Sequence, residues 1–206
     1  MKNSTRTSLF LVNLCAALLG FGAHAADPFQ FTAPKNWRPE RIPFPLGFAP
    51  DLKHRGLEEL RFGPGMFRPG SDTYWTYVFF WWIEGRPNIS AKSLQTDLVA
   101  YYRGLSKAVG GSKKLKMKMD QITATVTKLD AGKAPADFRQ PRFTATLQTY
   151  DAFATGNLLT LNVEISLHQF GESNRTWLFF SVSPKPTTDP VWKTMREIRD
   201  SFEVRR

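Results

Sequence analysis

The sequence predicts an α+β domain: an antiparallel sheet of about six strands, two helices packed on it, and an N-terminal strap rich in proline and aromatic residues. Three observations carry this expectation. Several segments alternate apolar and polar residues with strand period. Two segments place apolar residues at helical spacing. The order is strand, strand, helix, four strands, helix, which is not the regular alternation of a parallel sheet.

The chain opens with a segment of another kind. Residues 1–6 carry Lys2 and Arg6 and no acid, residues 9–21 are apolar except for Asn13, and Ala23-His24-Ala25 is a small-x-small exit. Together these predict a secretory signal peptide over residues 1–25, with an apolar part too short to span a bilayer. Bacterial export to the periplasm or the medium is expected. Cys15, the single cysteine, lies inside this leader. Cleavage therefore leaves no thiol for a disulfide, a thiolate metal site or a cysteine nucleophile. Val12-Asn13-Leu14 before it lacks the small residues of a lipid-attachment site, so a released protein is expected.

Residues 26–56 form an arm. Six prolines (Pro28, Pro34, Pro39, Pro43, Pro45, Pro50) alternate with Phe29, Phe31, Trp37, Phe44 and Phe48. Proline excludes helix and central strand, and the arm is too apolar for a solvated linker. An extended strap over the domain body, residues 57–206, is expected. In that body, residues 57–62 read as a short strand, followed by a Gly63-Pro64-Gly65 turn and a loop at 68–72. Residues 74–83 are aromatic or β-branched in both alternating sets, so this strand should be covered on both faces, by a helix and by the arm. Residues 90–109 carry the stripe Leu94, Leu98, Tyr101, Tyr102, Leu105, with Asn88 or Ser90 to cap the start and Gly110-Gly111 to end it.

Strand period then returns. Ile122, Ala124 and Val126 alternate with Thr123, Thr125 and Thr127, and Phe143, Ala145 and Leu147 with Thr144, Thr146 and Gln148. Residues 159–168 alternate in the same way, and 177–182 are shorter and more apolar. These predict antiparallel strands with one wetter face, the first two joined by a long loop at 130–141. Asp189 and Pro190 cap a last helix with the stripe Val191, Met195, Ile198, Phe202. A sheet followed by a terminal helix ending Ile198-Arg199-Asp200-Ser201-Phe202 resembles the PsbP-like group of lumenal and secreted proteins, over roughly residues 57–203. The arm is similar to that of a family of bacterial secreted proteins. The first resemblance implies a non-enzymatic module that docks on other proteins, and it supplies no catalytic residue.

The net charge of +10 suits an anionic partner. No run of five or six bases marks a nucleic-acid arm. The nearest approach, Lys113-Lys114-Leu115-Lys116-Met117-Lys118, reads as the solvated edge of a strand or loop. Partners are therefore an envelope protein or an anionic envelope component, not nucleic acid, and no transmembrane segment remains after cleavage.

Catalytic motifs are missing. There is no Gly-x-Ser-x-Gly elbow, no phosphate loop and no HExxH. Glu58, Glu59 and Glu84 have no spacing that pairs them for glycoside chemistry. His54 near Glu58 and Glu59, and His168 beside Glu164, are the groups from which a metal site or acid–base pair would be drawn; surface histidines are the simpler reading. No cofactor or metal is expected. Two surfaces suit a ligand or partner. Tyr74, Trp75, Tyr77, Trp81 and Trp82 would wall a pocket, or else form core under the strap, the reading their two-sided pattern favours. Thr125, Thr146 and Asn162 would lie on the wetter sheet face. The expected function is an exported, non-catalytic binding module of the envelope. Its alternatives are a carrier of a small apolar or sugar ligand and, behind that, a His/carboxylate metal-dependent hydrolase.

Overall fold

The computed structural model describes residues 28–130, 141–169 and 174–205. The expected leader, its cleavage site and most of the 130–141 loop lie outside these residues.

The chain is a mixed α+β domain. Its main sheet has seven strands in the order β2-β3-β4-β8-β7-β6-β5, every neighbour antiparallel. In chain order these are β2 (Arg38–Pro43), β3 (Gly56–Phe62), β4 (Tyr77–Glu84), β5 (Thr123–Lys128), β6 (Phe143–Tyr150), β7 (Leu158–Gln169) and β8 (Arg175–Ser183). Helix α1 (Ala91–Ser112) follows β4, and helix α2 (Pro190–Asp200) follows β8. A second, two-stranded sheet pairs β1 (Phe29–Gln30) with β9 (Glu203–Val204). No helix among the described residues is long and apolar enough to cross a membrane.

The sheet is richer than the sequence pattern predicts, because part of the proline arm is a strand. Phe44 donates its N–H to Gly56 O at 3.0 Å. The even-numbered residues of β2 therefore face β3, and Pro39 and Pro43 fall in the outward set, where a missing N–H costs nothing. Proline at an edge strand is tolerated on that side alone.

Both faces of β4 are covered, but the second face is covered by a helix together with the arm and not by the arm alone. Tyr77, Phe79, Trp81 and Ile83 pack with Leu94, Leu98, Tyr101 and Tyr102 of α1. Val78, Phe80 and Trp82 pack with Trp192, Met195 and Ile198 of α2. The arm serves both faces. Phe29 and Trp37 join the α2 side, while Phe44, Leu46 and Leu52 join the α1 side after the chain has rounded the sheet edge as β2.

Both helix starts follow the local chemistry. The Ser90 side chain accepts the Ser93 N–H, and Ser93 returns a bond from the Ser90 N–H, closing a capping box. Asp189 accepts from Val191 N–H, with Pro190 in the first turn. The end of α1 differs from expectation: Gly110 and Gly111 lie inside it, and the helix runs to Ser112. A Cβ on Gly110 would fall 1.8 Å from Met117 Cε. That glycine makes room for a side chain and does not terminate the helix.

Candidate functional site

The aromatic residues singled out in the sequence are divided among three environments. Tyr74 and Trp75 precede β4, and both donate to Asp151: Tyr74 OH at 2.6 Å and Trp75 Nε1 at 2.9 Å. The Asp151 carboxylate also accepts the N–H groups of Phe153, Ala154 and Thr155. Burial acts to raise its pKa; the bonds from Tyr74, Trp75 and Thr155 outweigh it and hold the group below the usual range. Asp151 thus pins the loop before β4 to the β6–β7 turn.

Tyr77 and Trp81 belong to the α1-side core, 2% and 0% exposed. The Tyr77 and Tyr102 hydroxyls are hydrogen-bonded to each other. Trp81 Nε1 donates to Glu58 Oε1 at 2.9 Å. Glu58 is fully buried, and its Oε2 has no hydrogen-bond partner among the described residues. The Tyr101 phenol lies beside the same carboxyl without completing that oxygen's hydrogen bonding. Burial pushes the Glu58 pKa up to about 8, against the smaller pull of Trp81 and Tyr101. At neutral pH it is a carboxylic acid. Trp82 points to the other face and stacks on Trp177 at 5.0 Å. These five rings are spent on packing and internal hydrogen bonds.

The candidate histidines lie on opposite faces. His54 packs on Trp81 of the α1-side core, with ring centroids 5.6 Å apart. Its Nε2 is 2.9 Å from Asp97 Oδ2 on α1, a partner that sequence spacing did not reveal. His168 stacks on Trp177 of the α2-side core at 5.2 Å, where burial lowers its pKa. They share no site. Glu164 is a structural anchor for α2: Arg196 donates to both its oxygens, at 3.1 and 2.6 Å, and Arg199 lies 3.9 Å away. Glu59 accepts from Arg41 and from Arg61 at 2.5 and 2.6 Å. Exposed Glu84 lies 3.3 Å from Arg175. No group of three or more His, Cys, Asp or Glu among the described residues is placed to hold a metal.

Two open clefts flank the strap. One, of about 780 Å³, is lined by residues 44–47, 50, 52–56 and Glu84, with His54 in its wall. The other, of about 830 Å³, runs between residues 47–51 and the outer face of α1. None of the five aromatic residues lines either. The His54–Asp97 pair is an oriented imidazole, yet His54 contacts no hydroxyl nucleophile among the described residues, and it ties the strap to α1.

The polar sheet face, in contrast, comes together. Thr125 is the cross-strand partner of Thr146, and Thr146 of Asn162, so the three form one row across β5, β6 and β7. Both threonines are exposed; Asn162 is half-buried and donates to Lys185 O at 3.0 Å. Against the β6–β7 turn at the end of these strands lies the segment that connects α1 to β5. Lys113, Lys114, Lys116 and Lys118 are exposed there, with Leu115 and Met117 half-buried between them. None of these lysines forms an ion pair among the described residues, although Lys113 Nζ donates to Phe153 O. No protein-family model matches the chain, and no curated protein sequence resembles it significantly.

Proposed function

We propose that this chain is an exported, non-catalytic binding module of the cell envelope, and that it engages an anionic component through the lysine-bearing end of its sheet. The observation that carries the reading is an asymmetry in how charge is used. The buried carboxylates of Glu59 and Glu164 are bound by arginines, and Asp151 is saturated by donors. Glu58 is held neutral. The lysines at 113–118 have no acidic partner among the described residues, so their field projects outward. A leader-like N-terminus and a net charge of +10 support export and an anionic target.

Salt elution from immobilised polyphosphate tests this. The variant Lys114→Ala/Lys116→Ala/Lys118→Ala is compared with Lys53→Ala/Lys92→Ala/Lys193→Ala, which has the same net charge. The first is expected to elute at clearly lower salt than the second. Co-elution of the two would reduce the effect to overall charge and remove the reading.

A further inference from the structure

We infer that the lysine-bearing end docks on the surface of a bilayer containing anionic phospholipid; this deepens the reading above and rests on it. The segment is a rigid display and not a loose tail. Its non-lysine side chains hold it down. Leu115 lies against Gly156 of the β6–β7 turn, 3.4 Å from the position of a Cβ there. Met117 occupies the space that Gly110 leaves open. The backbone N–H of Lys118 donates to Tyr150 OH at 3.1 Å. With alternate residues fastened inward, Lys114, Lys116 and Lys118 stand outward, and Lys107 adds an exposed cation on α1, about 9 Å along the helix from Lys113. The acid within this stretch is exposed Asp120.

Charge alone would fit any polyanion. A bilayer is favoured by an apolar group at the same end. Leu158 opens β7, two residues beyond Gly156, and at 41% is one of two large hydrophobic residues exposed among the described residues. Phe153, half-buried, sits on the same turn and accepts from Lys113 through its carbonyl. An exposed leucine beside a comb of lysines matches an interface that offers phosphate at its surface and hydrocarbon just beneath. A soluble polyanion has no use for the leucine.

Co-sedimentation of the full chain with vesicles is the test, using phosphatidylglycerol mixed with phosphatidylcholine, and phosphatidylcholine alone. Soluble polyphosphate is titrated in parallel. Binding is expected to the anionic vesicles only, to fall with added salt, and to weaken at least about tenfold in Lys114→Glu/Lys116→Glu/Lys118→Glu. Leu158→Ser should weaken vesicle binding while leaving polyphosphate binding unchanged. Lysine-dependent binding of polyphosphate without vesicle binding would overturn the lipid surface and leave the anionic partner standing. Loss of both would end both readings. Equal binding to neutral vesicles, or no effect of the lysine reversals, would also overturn it.

Discussion

Glu58 enters the core because its strand has a neighbour covered on both faces. In β3 successive side chains point to opposite sides, so of Glu58 and Glu59 one must meet α1 and the other α2. The two solve the same problem differently. Glu59 lies between the guanidinium groups of Arg41 and Arg61; Glu58 faces no cation among the described residues, takes a hydrogen bond from Trp81, and keeps its proton. This has a sign. Below pH 4.5 the carboxyl is protonated in folded and unfolded chains alike. Between 4.5 and about 8 the unfolded chain releases the proton and the folded chain retains it, so stability falls as pH rises. The slope is about 1.4 kcal/mol per pH unit for this one group. Glu58→Gln removes the titration and retains an acceptor for Trp81. In urea melts its stability relative to wild type should rise markedly from pH 5 to pH 8. An unchanged difference would place the ionised form in the fold. The Glu58-Glu59 pair beside a two-faced strand was the available signal that one carboxylate is internal; which one depends on register.

At the level of elements, strands and helix starts were readable because each depends on near neighbours. Alternation in 143–148 sets which side chains meet α1, and Ser90 and Asp189 cap with groups two or three residues away. Features that depend on a distant partner were not. β2 needs the edge of β3 before its prolines make sense. The end of α1 depends on where Met117 lies. The roles of Tyr74 and Trp75 depend on Asp151, far along the chain. The shared face of Thr125, Thr146 and Asn162 was legible from period alone, whereas their alignment in one row and the Asp97 partner of His54 depend on register and packing and were not. Gly104 gives an element-level prediction. It faces the strap, and a Cβ would fall 2.2 Å from Phe48 O. In an isolated helix, alanine would be better than glycine by about 1 kcal/mol. Here Gly104→Ala should instead destabilise by about 1–3 kcal/mol, since a backbone atom must move. A denaturant midpoint at or above wild type would refute the close helix–strap contact.

For the molecule as a whole, the arm closes two exposures at once: it pairs the outer edge of β3 and lays Phe29 and Trp37 over the α2-side core. A chain lacking residues 1–43 uncovers both an unpaired edge and apolar rings, the combination that leads to strand-to-strand association. Light scattering should find it self-associated, with wild type as reference. A folded monomer of the shortened chain would mean that the arm is dispensable. The charged end and the arm's entry into the sheet are separate features of one architecture, so removing the lysines should leave this behaviour unchanged.

The position of β8 has a consequence for assembly. The strands preceding it fall into two sets of three, β2-β3-β4 and β5-β6-β7, and neither set touches the other within the sheet until β8 lies between them. The seam is thus sewn by a strand that follows the other six of the sheet in the chain. Until residues 175–183 are present, β4 and β7 each have an unfilled side, and the long-range pairing that unites the sheet has to wait. A nascent polypeptide of this design holds two unjoined half-sheets until β8 emerges, and β1 meets β9 only after that.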